Sequence, residues 1–333
     1  MMKAVILSDG GWGSALSGVL ARNGHDVTMW GAFPEYLAEM AETRENRKFL
    51  SGVKFHDNVK FQADMAQAID GADLLVLATP TQYLRGVLQK LAAVYPAERA
   101  PLLVNVAKGI EETTNLRISQ MVASMLPGAP YAVLSGPSHA EEVARCVPTA
   151  VVAAAARQTD AELVQKAFMN KYFRVYTGSD VVGVELGGAL KNVIAIAAGI
   201  IDGMRLGDNS KAALMTRGVA EISRLGEALN GSAQTFSGLS GIGDLIVTCC
   251  SGHSRNRHVG EELGRGKTLE TILREMDMVV AEGVRTSIGA YTLARKANVE
   301  TPIIDEIYNV VHNNKSAIAA LEDLMNRSGK NEF

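Results

Sequence analysis

Lys3-Ala4-Val5-Ile6-Leu7-Ser8-Asp9-Gly10-Gly11-Trp12-Gly13 runs an apolar segment of strand length straight into a glycine-rich turn, and helical spacing follows over 12–22. Strand, tight turn and helix at the head of a chain read as the first unit of a parallel α/β sheet. Glycines in such a turn let the backbone approach a pyrophosphate, and the free N–H groups of the next helix face the anion. The same turn also serves plain strand-to-helix packing, so by itself it leaves both readings open. The glycine pattern is incomplete at its start, where Ser8 stands in the first glycine position and Asp9 follows. A carboxylate there is expected to repel a bound pyrophosphate and weaken cofactor binding.

Outward from this turn, apolar runs at 26–30, 74–78, 102–106 and 131–134 alternate with helical patterns at 34–45, 84–94 and 115–125. Near-continuous apolar strands between helices predict a parallel sheet covered on both faces. Segments 150–154 and 173–176 extend it, while 55–61 reads as a short strand or a loop. Past about 180 the strand signals stop and long helical periodicities take over. The expected organisation is therefore a dinucleotide-binding Rossmann domain over 1–180 and a helical substrate and catalytic domain over 181–333. The second strand ends in Trp30-Gly31-Ala32-Phe33. It offers no acid for a ribose 2′-hydroxyl and no arginine for a 2′-phosphate, so it does not choose between NAD and NADP.

Bulk properties narrow the classes. A length of 333 residues suits two domains at about 150 residues each, and 47% hydrophobic with 21% charged residues excludes a disordered or fibrous chain. A net charge of −3 denies the chain the basic field that nucleic-acid binding needs. Cys146, Cys249 and Cys250 are odd in number and lack zinc-ligand spacing, so reduced thiols and no metal are expected. The apolar run after Lys3 is too short for a signal-peptide core. The longest apolar stretches, near 150–156 and 193–201, fall short of the roughly 20 residues of a membrane span. A cytoplasmic protein with no membrane span is expected. The commonness of twofold assemblies adds a homodimer to that expectation.

Several segments then carry a resemblance. They are Val106-Ala107-Lys108-Gly109-Ile110-Glu111, Leu134-Ser135-Gly136-Pro137-Ser138-His139-Ala140 and Val184-Glu185-Leu186-Gly187-Gly188-Ala189-Leu190-Lys191-Asn192. Further on come Gly207-Asp208-Asn209, Gly238-Leu239-Ser240-Gly241-Ile242-Gly243-Asp244-Leu245, Ser254-Arg255-Asn256-Arg257 and Ala281-Glu282-Gly283-Val284. In this order and spacing the chain resembles the bacterial NAD(P)-dependent glycerol-3-phosphate dehydrogenases over nearly its whole length. The resemblance implies a Rossmann domain followed by an all-α domain of the 6-phosphogluconate dehydrogenase type, with the active site between them. It implies reversible hydride transfer between NAD(P)H and dihydroxyacetone phosphate, giving glycerol 3-phosphate for phospholipid synthesis.

Residue roles follow from the same likeness. Gly10, Gly11, Trp12, Gly13, Ala32, Ala140, Val280 and Glu282 would lie against the cofactor. Lys108, Gly136, Ser138, Asp244, Ser254, Arg255 and Asn256 would line the substrate, with Lys108 and Arg255 also touching cofactor. Lys191 would be the catalytic base and would also bind substrate. Ala32 stands where the family often has Arg or His.

The chemistry of these side chains suits the roles. Ketone reduction needs a proton at oxygen, and an ordinary lysine, titrating near about 10.4, is too basic to exchange one efficiently at neutral pH. Lys108, Arg255 and partial burial are expected to lower Lys191. Ser254 can cap a helix over 258–263 while Arg255 and free N–H groups hold a phosphate, although Ser and Arg at a helix start are often purely structural. Asp244 can orient Lys191 by a charge-assisted bond, or be a plain turn aspartate. His139 and His253 read as incidental loop histidines. Two alternatives remain open: a related β-hydroxyacid or 6-phosphogluconate-type dehydrogenase, and a non-catalytic dinucleotide-binding regulator.

Overall fold

The computed structural model describes residues 1–276, 280–329 and 331–332. Its strands are β1 (Lys3–Leu7), β2 (Asp26–Trp30), β3 (Val59–Phe61), β4 (Leu74–Leu77), β5 (Leu102–Asn105), β6 (Tyr131–Ser135), β7 (Thr149–Ala155) and β8 (Phe173–Gly178). They form one eight-stranded sheet in the order β3-β2-β1-β4-β5-β6-β7-β8. Helices α1 (Gly11–Arg22), α2 (Pro34–Thr43), α3 (Met65–Ile69), α4 (Thr81–Ala92), α5 (Ile118–Met125), α6 (Ala140–Ala144) and α7 (Gln158–Phe168) connect them.

The central strands are apolar on both faces because both are covered. Every residue of β4, and Ala4 to Leu7 of β1, is fully buried. From β1 the chain winds outward to β3, then returns to the other side of β1 as β4. Helices leave β1 and β4 in opposite directions there, which opens a crevice at their carboxyl ends. The ambiguous segment 55–61 resolves as the short strand β3.

One expectation needs correction. The sheet is not wholly parallel, since β6 pairs antiparallel with β7, and β7 then pairs parallel with β8. The link from β6 to β7 holds only the five-residue α6. At 1.5 Å per residue that helix rises about 7.5 Å, roughly half the length of a five-residue strand, so it does not by itself span the sheet. The next strand runs back instead.

Among the described residues, the rest of the chain is helical: α8 (Val181–Gly203), α9 (Asp208–Ala228), α10 (Ala233–Phe236), a π-turn at Leu239–Gly243, α11 (Asp244–Cys250), α12 (Arg255–Gly264), α13 (Leu269–Glu275), α14 (Glu282–Lys296), α15 (Pro302–His312) and α16 (Ala317–Met325). Asp180 caps α8, its carboxylate accepting from Gly183 N at 2.8 Å. Helix α8 is buried along nearly its whole length, as an axial helix is, and is apolar apart from a few polar residues. Its 23 residues are long and apolar enough to cross a membrane by length and composition, which the shorter runs noted above did not register. The apolar window of the helix is wholly buried within the fold. Helix α12 lies directly on it: Cβ atoms at Gly199 and Gly203 would strike the Arg257 and Glu261 carbonyls, and Cβ atoms at Gly260 and Gly264 would strike those of Ile196 and Ile200.

Candidate active site

Helix α8 delivers Lys191 to the end of β5 and β6. Two glycines make that approach possible. A Cβ at Gly188 would sit 2.8 Å from Ser135 Oγ, and one at Gly187 would sit 2.6 Å from the Ser240 carbonyl of the π-turn. The backbones therefore close together and bring three charged side chains to one point.

Asp244, 1% exposed, sits between two lysines. Its Oδ1 lies 2.9 Å from Lys191 Nζ and its Oδ2 lies 2.7 Å from Lys108 Nζ. Lys191, 6% exposed, also donates to Thr248 Oγ1 at 2.6 Å. The Thr248 hydroxyl donates in turn to the Asp244 carbonyl at 2.6 Å, one turn earlier on α11. Lys108 donates to the Gly136 carbonyl at 2.9 Å and reaches Ser138 Oγ at 3.4 Å. Gly136 has φ +140, and a Cβ there would meet the Val151 backbone, so glycine is required at that turn.

The electrostatics follow from burial. Loss of water lowers the Lys191 ammonium to about 8, with Lys108 adding to the fall and Asp244 opposing it. Burial is the first cause, and of the two cations expected to lower Lys191, Lys108 is among the causes and Arg255 is not. Burial pushes the Asp244 carboxyl up, but Lys108 and then Lys191 outweigh it and hold it below the usual range. The aspartate is thus the shared counter-ion and not a plain turn residue.

His139 lies half-buried close to the two lysines. Burial lowers its pKa, the charges of Lys191 and Lys108 lower it further, and its buried Nε2 has no partner. Its ring centroid lies 5.8 Å from that of His253.

The candidates on α12 divide. Ser254 caps the helix, accepting from Arg257 N at 3.2 Å, and the helix starts at Arg255, earlier than the expected 258. Arg255 is exposed on the first turn, with no hydrogen bond or ion pair among the described residues. Asn256 is spent on protein. Its Oδ1 accepts from Gly283 N at 2.8 Å and its Nδ2 donates to Asn192 Oδ1 at 2.9 Å. Asn192 donates to the Lys108 carbonyl at 3.0 Å, so amide bonds tie α14, α12 and α8 to the Lys108 loop.

The opening turn fits a dinucleotide. A Cβ at Gly13 would meet Ile6 Cγ2 at 2.9 Å, so α1 packs flush on β1 and presents its N-terminus with no acid in the first turn. Trp12 Nε1 is buried without a partner. Ser8, buried, accepts from Gly10 N at 2.9 Å, which occupies one amide of the turn. Asp9 does not overhang the turn as expected: its Cβ and Oδ2 would lie 2.9 and 3.0 Å from a Cβ at Gly31, past the end of β2. Ala140 opens α6, Ala32 is exposed beyond β2, and Val280 is half-buried just ahead of α14. Glu282 Oε1 accepts from Thr81 N at 2.8 Å and Thr81 Oγ1 at 2.9 Å, joining α14 to the start of α4.

Sequence reasoning missed Thr248 and Thr81. The first carried a signal, since Asp244 and Thr248 are four apart and share a helix face. Thr81 carried none, because its partner is about 200 residues away.

Known proteins match this arrangement. Residues 3–161 match the family described as NAD-dependent glycerol-3-phosphate dehydrogenase N-terminus, and residues 180–322 match the corresponding C-terminus. A glycerol-3-phosphate dehydrogenase [NAD(P)+] of Geobacter sp. (strain M21) is 48% identical over 99% of this chain and 98% of its own. That of Lactiplantibacillus plantarum is 46% identical over 100% and 99%. The crystal structure of the Coxiella burnetii enzyme superposes with a TM-score of 0.94 at 32% identity, covering 98% of this chain and 99% of that one. The chain belongs to the NAD-dependent glycerol-3-phosphate dehydrogenase family.

Proposed function

We propose that this chain interconverts dihydroxyacetone phosphate and glycerol 3-phosphate with NAD(P)H, and that Lys191 moves the proton. The observation that carries the reading is the buried Lys191 ammonium, lowered to about 8 and clamped at 2.9 Å by Asp244. An ammonium has three N–H donors, and Asp244 and Thr248 take two. The third is left for the substrate oxygen. With a pKa near neutrality, Lys191 gives that proton to the forming alkoxide and takes it back from the alcohol in reverse.

The remaining residues bind and position. Lys108 and the exposed Arg255, with the amides at the start of α12, supply positive charge for the phosphate. Ser138 and the Gly136 turn hold Lys108 in place. Asn256 and Ser254 act by fixing α12. The turn at Gly10, Gly11, Trp12 and Gly13 receives the pyrophosphate, and the bound nicotinamide supplies the hydride at carbon. We assign cofactor binding to residues 1–180 and catalysis to 181–333. We further propose a homodimer, on the commonness of twofold assemblies, and a cytoplasmic location, on the three free thiols.

An absorbance assay of NADH and NADPH oxidation tests the reading. Turnover with dihydroxyacetone phosphate, and none with β-keto acids, is expected. The opposite pattern overturns it.

A further inference from the structure

We propose that Asp9 sets the cofactor preference of this chain, accepting a hydrogen bond from the adenosine ribose 2′-hydroxyl and excluding a 2′-phosphate. The inference rests on the dinucleotide reading above. In a Rossmann sheet that task falls to an acid at the end of the second strand, next to the glycine turn. Here that strand ends in Trp30, and Gly31, Ala32 and Phe33 follow without an acid or a base. The position is filled from the neighbouring strand instead.

Register places Asp9 there. Leu7 pairs with Trp30, and Ser8 N continues the ladder with a 2.8 Å bond to the Trp30 carbonyl. Asp9, the next residue, therefore comes level with the residues just past β2. Its side chain lies over Gly31, where any Cβ would stand 2.9 Å from Asp9 Cβ and 3.0 Å from its Oδ2. Gly31 provides the gap into which this carboxylate fits.

The carboxylate is held, yet one oxygen lacks a hydrogen-bond partner. Asn46 Nδ2 fixes the Asp9 carbonyl at 2.9 Å. Burial raises the Asp9 pKa, while the amides of Asp9, Phe33 and Ala32 and the charge of Lys48 draw it back. Oδ2 is buried and has no partner. An acceptor without a donor, held beside the end of β2, matches what a ribose hydroxyl offers: one O–H. A phosphate offers no donor once ionised, and its negative charge would meet that of Asp9 at close range. Lys48, which also lies 5.2 Å from the Tyr36 ring centroid, faces the same carboxylate.

Fluorescence titration of NADH and NADPH tests this on wild type, Asp9→Asn and Asp9→Ala. The asparagine variant keeps size and a carbonyl acceptor, so it carries the test should alanine loosen the turn. Wild type is expected to bind NADH at least tenfold more tightly than NADPH. Both variants should cut that ratio about tenfold, chiefly by tightening NADPH, and Asp9→Ala should also weaken NADH several-fold. A wild type that prefers NADPH overturns the proposal. So does an unchanged ratio in both variants, or an equal gain for both cofactors, which would mean that Asp9 acts on the shared pyrophosphate. Failure of wild type to bind either cofactor overturns the dinucleotide reading itself.

Discussion

Two lysines share one buried aspartate at the centre of the site, and the charge balance among them sets when Lys191 can accept a proton. Lys191 acts as a base only when neutral. For glycerol 3-phosphate oxidation, kcat/KM should therefore rise about tenfold per pH unit up to about 8 and level off above it, and ketone reduction should show the mirror image. Lys108 depresses Lys191 and Asp244 raises it. Lys108→Met should accordingly move the limb to higher pH, and Asp244→Asn should move it lower. A limb that stays put in both variants would break the link between this cluster and proton transfer. Arg255 is a different case, being exposed and unpaired among the described residues. Arg255→Ala should raise KM for dihydroxyacetone phosphate by roughly 10- to 100-fold, as loss of a charge-assisted bond worth about 1.5–3 kcal/mol implies, and alter the NADH dissociation constant less. An unchanged KM would make Arg255 merely part of the helix surface.

Helix packing is what brings those residues to one place. Gly199 and Gly203 on α8 face Gly260 and Gly264 on α12, and none of the four has room for a Cβ. The sequence signal is a glycine repeated after three residues on each helix, which lets two backbones touch. Gly260→Ala should destabilise the fold by about 3 kcal/mol, the upper end for overpacking, measured as the shift in urea midpoint at constant slope. A midpoint unchanged within error would contradict the contact. Much at this scale was legible in advance. Strands β1 and β4 declare themselves because nearly all their residues are apolar, and the helical half because its periodicities are long. The direction of β7 was not legible, since the strand's own residues do not carry its pairing sense. Helices α3 and α6, at five residues each, are too short for periodicity to show. Lys191 and Asp244 were legible as members of quoted motifs. Thr248 and Asn192 as partners depend on helix register, and the Glu282–Thr81 bond depends on how distant elements meet.

Across the whole molecule, the sheet and the helices meet at one buried charged cluster. Lys108 follows a strand end, while Lys191 and Asp244 come from helices. Contacts that span the two are specific: Lys108 with Asp244, Glu282 with Thr81, and the Asn192 amide with the Lys108 carbonyl. Glu282→Gln keeps an oxygen for Thr81 but removes the charge at the α4 N-terminus. It should lower the thermal midpoint by a few degrees, in line with about 1 kcal/mol for a helix-terminus charge, and an unchanged midpoint would show the clasp to be passive. The central claim is that the fold holds Lys191 as the proton carrier while other residues bind the cofactor. Its most direct test is kcat for NADH-dependent reduction of dihydroxyacetone phosphate, measured on wild type and Lys191→Ala beside an NADH titration of each. The account predicts a loss of about 10²- to 10⁴-fold in kcat with the NADH dissociation constant unchanged. A variant that keeps a tenth of the wild-type kcat would contradict it.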